Sequence, residues 1–378
     1  MIRRIPGADH SPGRSFPPGK ARRKTRRLMI GDVAVGGGAP VSVQSMTKTD
    51  TRDAASTIAQ VRKLECAGCE IVRLAVPDRE AARALRRIKK ECRIPLVADI
   101  HFDYRLALEA LQAGVDGLRI NPGNIGDEER VRAVVREAKA RDVPIRIGVN
   151  SGSLEKSILR KYGTASAEAM VESALGHIHI LEDMGFGLIK VSLKAPDVLR
   201  TLDAYRLLAR KVEYPFHGGI TEAGSLLRGA VKSSVGLALL LAEGLADTIR
   251  VSLTAPPEEE VRVGYDILQD LGLRSRGLNF VSCPTCGRLE VDLSRIVREV
   301  ERRLSSVNEP LTVALMGCTV NGPGEAREAD IGLACGRRSA AVFKRGKLLR
   351  RLGEKEIVPE FVKEVRRLVA EKKRCPKG

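Results

Sequence analysis

Eight short β-rich runs, each followed by a helical pattern, constrain this chain more than any other feature. They are Val41–Met46, Glu70–Val76, Pro95–Ile100, Gly117–Asn121, Pro144–Asn150, Leu188–Lys194, Pro215–Thr221 and Thr248–Thr254. Most are apolar on both faces, as parallel strands covered by helices must be. Their starts lie 22 to 44 residues apart, the rhythm of repeated βα units. The intervening segments carry helix punctuation. Asp53 caps a helix with Ile58, Val61 and Leu64 that stops at Gly68. Asp103 begins one that stops at Gly114, and Asp127 one carrying Val131, Val134, Val135 and Ala138. Eight units in ~230 residues predict a (β/α)8 TIM-type barrel over residues 28–274. A doubly wound open sheet seldom runs to eight consecutive units. No dinucleotide fingerprint follows the first strand, because Gly36-Gly37-Gly38 precedes it and reads as a loop.

Beyond Leu273 the pattern changes. Strand-like Leu278–Ser282, a helix over Leu293–Leu304, strand-like Thr312–Met316, another near Asp330–Ala334 and a helix over Val358–Lys372 predict a smaller α+β domain over 275–378. Arg274–Gly277 reads as a short connector.

Charge separates the ends from the body. The 378-residue chain has 65 basic and 47 acidic side chains, a net charge of +18. Residues 1–27 carry nine basic residues and one acidic, and residues 336–378 fifteen and five. Residues 28–335 hold 41 of each and are neutral, so the main body has no overall attraction for a polyanion. Residues 1–27 read as a flexible basic extension with Pro6, Pro12, Pro17 and Pro18, and an organellar transit peptide is the second reading. The longest apolar run, around Leu237–Ala242, is far shorter than the ~18 residues that cross a bilayer. Eight cysteines in so long a chain suggest an intracellular, cytoplasmic protein with metal or redox chemistry, rather than a disulfide framework.

Barrel chemistry sits at the C-terminal ends of the strands. There the pattern places Arg73, Asp99, His101, Arg119, Asn121, Arg146, Asn150, Lys190, Lys194, His217, Glu222, Arg250 and Ser252. Several guanidinium groups and lysines in a neutral domain suit an anionic ligand. Guanidinium matches phosphate oxygens bidentately, so a phosphate or diphosphate ester is expected. Structural salt bridges account for some of these arginines in the alternative reading. His177 and His179 belong to a helix and read as surface or structural residues, and His10 lies in the basic extension.

The cysteines divide into two groups. Cys283-Pro284-Thr285-Cys286 follows one predicted strand, and Cys318 follows the next, in Met316-Gly317-Cys318-Thr319-Val320-Asn321-Gly322-Pro323-Gly324-Glu325. A lone C-x2-C suits a redox dithiol or half a zinc site equally well. The third cysteine, in a glycine-rich loop, favours an iron–sulfur cluster, with zinc the alternative. Cys335 and the carboxylate of Glu325 are both candidates for a fourth ligand. Cys66, Cys69, Cys92 and Cys375 read as incidental, the first two as packing residues.

Specific motifs then identify a family resemblance. Val43-Gln44-Ser45-Met46-Thr47, Ala98-Asp99-Ile100-His101-Phe102, Leu118-Arg119-Ile120-Asn121-Pro122-Gly123-Asn124 and Arg146-Ile147-Gly148-Val149-Asn150 resemble the 4-hydroxy-3-methylbut-2-enyl diphosphate synthase family. So do Gly219-Ile220-Thr221-Glu222-Ala223-Gly224, Asp247-Thr248-Ile249-Arg250-Val251-Ser252-Leu253, Ser282–Gly287 and Asn321–Ala326. The resemblance implies a reductase of the non-mevalonate isoprenoid pathway, acting on 2-C-methyl-D-erythritol 2,4-cyclodiphosphate with two electrons from flavodoxin or ferredoxin. It implies a 4Fe-4S cluster on Cys283, Cys286, Cys318 and Glu325. It implies diphosphate binding by Arg73, Arg119, Arg146, Asn150, Lys194 and Ser252, to which the strand-end pattern adds Arg250. Asp99, His101 and Glu222 match acid/base or substrate-contact positions, with Glu222 the proton donor to a departing hydroxyl. A head-to-tail homodimer is also implied. The chain passes almost directly from the eighth strand to Cys283, without the large extra domain of plant-type members, so the resemblance is to the bacterial type.

A zinc-stabilised barrel acting on another phosphate ester, such as a pterin synthase, is the enzymatic rival. An RNA-associated protein using the basic ends is the other. Aromatic residues at 3% and the absence of Trp count against base stacking.

Overall fold

The protein was analysed as a computed structural model, in which residues 22–120, 125 and 128–374 are described. His10, Asn121, Asp127 and Cys375 therefore lie outside the described residues. The chain divides into two compact units after Arg274.

In the first unit eight parallel strands run β3 (Ser42–Met46), β4 (Ile71–Ala75), β5 (Leu96–Asp99), β6 (Gly117–Ile120), β7 (Ile145–Asn150), β8 (Ile189–Lys194), β9 (His217–Gly218) and β10 (Thr248–Ile249). Each pairs with its neighbours in chain order, and β10 pairs with β3. The remaining seam, between β8 and β9, is joined by a parallel bridge from Val191 to Phe216 and by the Val191 amide donating to Pro215 at 3.0 Å. The predicted barrel is the observed fold. Helices α1 (Ala54–Ala67), α2 (Arg79–Glu91), α3 (Tyr104–Gln112), α4 (Glu128–Ala140), α5 (Lys156–Tyr162), α6 (Ala167–Asp183), α7 (Val198–Ala209), α8 (Leu226–Ala242) and α9 (Pro257–Asp270) follow the strands. Their starts are chemically specified: the Asp53, Asp78, Asp103 and Asp197 carboxylates each accept a first-turn amide.

Strands β9 and β10 are much shorter than the runs that predicted them. The Arg250 amide still donates to the Gly218 carbonyl at 3.0 Å; beyond it the chain leaves the ladder, and the amide of Leu253 donates instead to the Glu260 carboxylate at 3.1 Å. A side chain from α9 thus replaces the neighbouring strand as acceptor.

Two short strands not anticipated from the sequence, β1 (Leu28–Ile30) and β2 (Val33–Val35), form an antiparallel hairpin. Leu28, Ile30 and Val35 pack on Ile71 and Val97, at the starts of β4 and β5, and so close the N-terminal end of the barrel.

Residues 22–27 correct the expectation of a free extension over 1–27. Arg22 pairs with the buried Asp247 at 3.0 Å, and the Arg23 guanidinium lies 3.9 Å from the centre of the Phe216 ring while donating to the Val212 and Tyr214 carbonyls. Thr25 accepts the Gly37 amide at 3.1 Å. Gly36, at φ +74°, would place a Cβ only 2.3 Å from the Arg26 carbonyl, so the triple-glycine loop is what lets this segment lie down. Removing residues 1–21 is expected to leave the melting temperature unchanged. Removing 1–27 leaves Asp247 without its cation and costs about 2 kcal/mol, a fall of ~4–8 °C by differential scanning calorimetry. Equal melting temperatures for the two truncations would show the contacts to be inconsequential.

The second unit is a five-stranded sheet in the order β11 (Leu278–Ser282), β12 (Leu311–Met316), β13 (Ile331–Gly336), β14 (Ser339–Lys344) and β15 (Lys347–Gly353). The first three strands are parallel and the last two antiparallel to their neighbours. Helices α10 (Leu293–Leu304) and α12 (Ile357–Arg374) cover it, while the short α11 (Gly322–Glu328) packs on β12 and β13. Leu293, Ile296, Val300 and Leu304 form the buried stripe of α10. The β14–β15 hairpin was not anticipated, because the Arg-rich stretch reads as a basic tail. Its turn places Arg345 at φ +48° and Gly346 at φ +80°, the two left-handed residues of a tight hairpin, without the usual Asn or Asp.

Candidate anion site and cysteine loops

Strand register gathers the barrel's charged residues into a belt. Asp99 pairs with Arg119, Arg119 with Arg146, and Arg146 with Lys190, across four adjacent strands. Two same-face positions further along, past the Gly148–Ser192 pair, Asn150 pairs with Lys194. A cavity of about 140 Å³ opens at these strand ends, lined by Arg73, Asp99, His101, Arg119, Arg146, Asn150, Ser192, Lys194, Thr221, Arg250 and Ser252. Nine of the sequence-predicted residues therefore meet in one place. A larger groove of about 710 Å³ lies along α3, α4 and the end of α6, and none of the strand-end residues lines it.

The cavity is strongly unbalanced. Five cations face one carboxylate, Asp99, which lies 3.2 Å from Arg119, 3.6 Å from Arg73 and 3.5 Å from His101. Burial alone would raise the Asp99 carboxyl, but Arg73, the His101 hydrogen bond, Arg119 and Arg146 together hold it well below the usual carboxylate range. The cations move the other way. Arg73 is pushed down to about 10 by burial, against the opposing pull of Asp99. Burial, with neighbouring cations, holds Arg146 and Lys194 well below their usual values. Among the described residues the buried Arg146 Nε and Nη1, Arg119 Nε and Arg250 Nε have no hydrogen-bond partner. Such donors are costly until an acceptor arrives. Gly148 makes the packing possible, since a Cβ there would lie 2.6 Å from Arg119 Nε.

Glu222 is exposed, in left-handed backbone at φ +52°, and does not line the cavity, although Thr221 beside it does. Two placements need correction: Lys190 and His217 are buried and outside the lining. Burial and the surrounding cations depress both well below their usual values, which favours the uncharged forms. His177 is buried 2.6 Å from Glu155, which fits the structural of its two readings. Ser192 and Thr221 were missed. Ser192 was legible, because it shares the alternation of Lys190 and Lys194.

A lysine depressed on folding is protonated in the unfolded chain and neutral in the folded one between its two pKa values. The unfolded chain then binds more protons, so stability of the ligand-free protein rises with pH across that window. An anion beside Lys194 raises its pKa and reverses the effect. Sulfate, which does not itself titrate there, is expected to bind with proton uptake below the ordinary lysine range, read by calorimetry in buffers of different ionisation heat. Binding without proton exchange would remove Lys194 from the anion's contacts.

In the second unit Cys283 and Cys318 follow adjacent parallel strands, and the Cys283 amide donates to Leu315 at 3.1 Å. Cys283 is half-buried, Cys286 exposed and Cys318 buried. Cys286 is lowered by the backbone amide and side chain of Arg288, and Cys318 by the amides of Asn321 and Val320. Arg288 lies within electrostatic reach of all three sulfurs. Among the described residues no three Cys, His, Asp or Glu side chains are gathered closely enough to hold a metal ion. Glu325 is exposed in the first turn of α11. Cys335 is fully buried in the core of this unit, with its thiol pushed up to about 12 by burial. Cys69 and Cys92 are buried, in agreement with a packing role, whereas Cys66 is exposed.

Fold and site together define a (β/α)8-barrel protein with a cation-rich mouth, joined to an α+β unit that presents cysteine loops. Residues 25–265 match the model of the GcpE TIM-barrel domain, and residues 279–367 that of the GcpE protein C-terminal domain. The chain belongs to the GcpE family. It is 60% identical over 353 residues to the 4-hydroxy-3-methylbut-2-en-1-yl diphosphate synthase (flavodoxin) of Maridesulfovibrio salexigens, covering 93% of this chain and 99% of that one. Identity to the synthase of the same name from Geobacter sulfurreducens is 57%, with the same coverage. For that of Clostridium acetobutylicum it is 56%, over 91% of this chain and 99% of the relative.

Proposed function

We propose that this protein reduces 2-C-methyl-D-erythritol 2,4-cyclodiphosphate to 4-hydroxy-3-methylbut-2-enyl diphosphate, a step of isoprenoid precursor synthesis, with flavodoxin as electron donor. Near-full-length identity to synthases of that name supports the reading. The observation in this chain that carries it is the cavity in which five cations face one carboxylate at the barrel mouth.

Arg119, Arg146, Lys194 and Arg250 are proposed to hold the diphosphate, with Asn150 and Ser252 as neutral donors at its edge. Asp99 orients Arg73 and Arg119 from behind. As the ring opens, the negative charge released at the diphosphate stays within reach of donors already in place. His101, beside Asp99 and half exposed, is an acid/base candidate. Glu222 is the proposed proton donor to the departing hydroxyl, from the rim rather than the lining.

Cys283, Cys286, Cys318 and Glu325 are proposed to hold one 4Fe-4S cluster per subunit. The chemistry of the donor set suits it, although the three sulfurs are not drawn together in this structure: three thiols, two of them acidified, within electrostatic reach of one arginine, with a carboxylate in the following helix. When bound, such a cluster supplies single electrons and a Lewis-acidic iron with a displaceable carboxylate. A head-to-tail homodimer and a cytoplasmic location belong to the same proposal. No helix among the described residues is long and apolar enough to cross a membrane.

The test is anaerobic purification, iron and sulfide analysis, and assay of the cyclodiphosphate with reduced flavodoxin. A brown protein that yields the linear diphosphate supports the proposal. A colourless, zinc-containing protein without turnover overturns it in favour of a zinc-stabilised barrel.

A further inference from the structure

We propose that Glu260 is the positioning residue of the barrel's anion site, holding Arg250 and the Ser252 loop at the cavity from a place that the ligand never touches. The inference rests on the reading that this cavity binds the diphosphate.

Glu260 is buried at 2% exposure on α9, outside the cavity lining. Its two oxygens are fully used. One accepts the Ser45 hydroxyl at 2.9 Å and lies 3.8 Å from Arg250 Nε. The other accepts the Leu253 amide at 3.1 Å and lies 3.2 Å from Lys48 Nζ. Lys48 in turn donates to the Leu253 carbonyl at 2.7 Å and to the Ala255 carbonyl. The residue after Ser252 is therefore held at both its amide and its carbonyl, beyond the end of β10 and just before Thr254 bridges to Ser225. Arg250 Nε lies 3.8 Å from the same carboxylate, an ion pair without a direct hydrogen bond, while Arg250 itself lines the cavity. A buried carboxylate with this many partners fixes its neighbours strongly, because releasing any one strands a charge or a donor.

The Gln variant separates positioning from charge. Glu260→Gln keeps an acceptor for Leu253 and a hydrogen bond to Ser45, but gives up the hold on Arg250 and Lys48. It also makes the mouth more positive, so a purely coulombic role predicts tighter anion binding. Positioning predicts weaker binding.

The experiment is calorimetric titration of the full-length protein with inorganic pyrophosphate. Glu260→Gln is expected to raise Kd about ten-fold. Arg250→Met should raise it as well, and the double variant should bind little worse than Arg250→Met alone. In turnover the KM for the cyclodiphosphate should rise with Kd while kcat falls less, a split that general loosening would not produce. Unchanged or tighter binding in Glu260→Gln, with Arg250→Met impaired, overturns the role of Glu260 and leaves the anion site standing. Unchanged binding in Arg250→Met overturns the anion-site reading of this edge, and the inference with it. Should Glu260→Gln fail to fold, Ser45→Ala removes one hydrogen bond and leaves the charge: weaker pyrophosphate binding supports the proposal, and unchanged binding overturns it.

Discussion

Arg146→Leu and Arg119→Leu are each expected to cut affinity for the cyclodiphosphate by about ten-fold or more, while moving the stability of the free protein in opposite directions. The common effect follows from the loss of a charge-assisted hydrogen bond, worth ~1.5–3 kcal/mol. The divergence follows from their partners. Arg146 is buried, with two unpartnered nitrogens and cationic neighbours, and replacing it by an apolar side chain relieves desolvation and repulsion in the free protein. Arg119 lies 3.2 Å from Asp99, so its removal takes away the nearest cation of a buried carboxylate and leaves it Arg73 at 3.6 Å and His101 at 3.5 Å. Melting temperature should rise for Arg146→Leu and fall for Arg119→Leu, with both read beside ligand titrations on the same samples. Lys194→Met should behave as Arg146→Leu does. Unchanged affinity in all three variants would move the substrate elsewhere.

The second large effect concerns iron. Alanine at Cys283, Cys286 or Cys318 is expected to abolish the visible chromophore and turnover together, since each removes one of three thiolates from the proposed cluster. Cys335→Ala should retain both. Its thiol packs in the core of the second unit, and burial keeps it protonated, so it offers no thiolate to a metal. The cost there is about 1 kcal/mol of stability for a small buried side chain. Glu325→Ala should keep much of the iron and lose most activity, because a carboxylate is the ligand that yields to substrate. Loss of the chromophore on replacing Cys335, with Glu325 dispensable, would indicate a closed four-cysteine site and end the proposed mechanism.

What was legible in the sequence was local and periodic. Parallel strands buried on both faces need unbroken apolar runs, and helices need caps, so eight repeats with Asp53 or Asp103 at their helix starts announce a barrel. The barrel rule then sends Arg73, Arg119, Arg146 and Lys194 to one mouth, because strand ends converge whatever the loops do. What the tertiary structure decided was pairing across great distances in the chain. Arg22 finds Asp247 across 225 residues, and Ser45 finds Glu260 across 215. Neither partner carries a periodic signal, and Glu260 sits in a run of three glutamates that reads as an ordinary acidic first turn. The tertiary structure also decided that Glu222 is exposed beside a cavity-lining residue and that Lys190 is buried outside the lining. The alternation tells which face of a strand a residue occupies, but not how deep along the barrel axis it lies. Depth is set by register between strands, and register is a property of pairs of strands that no single one contains.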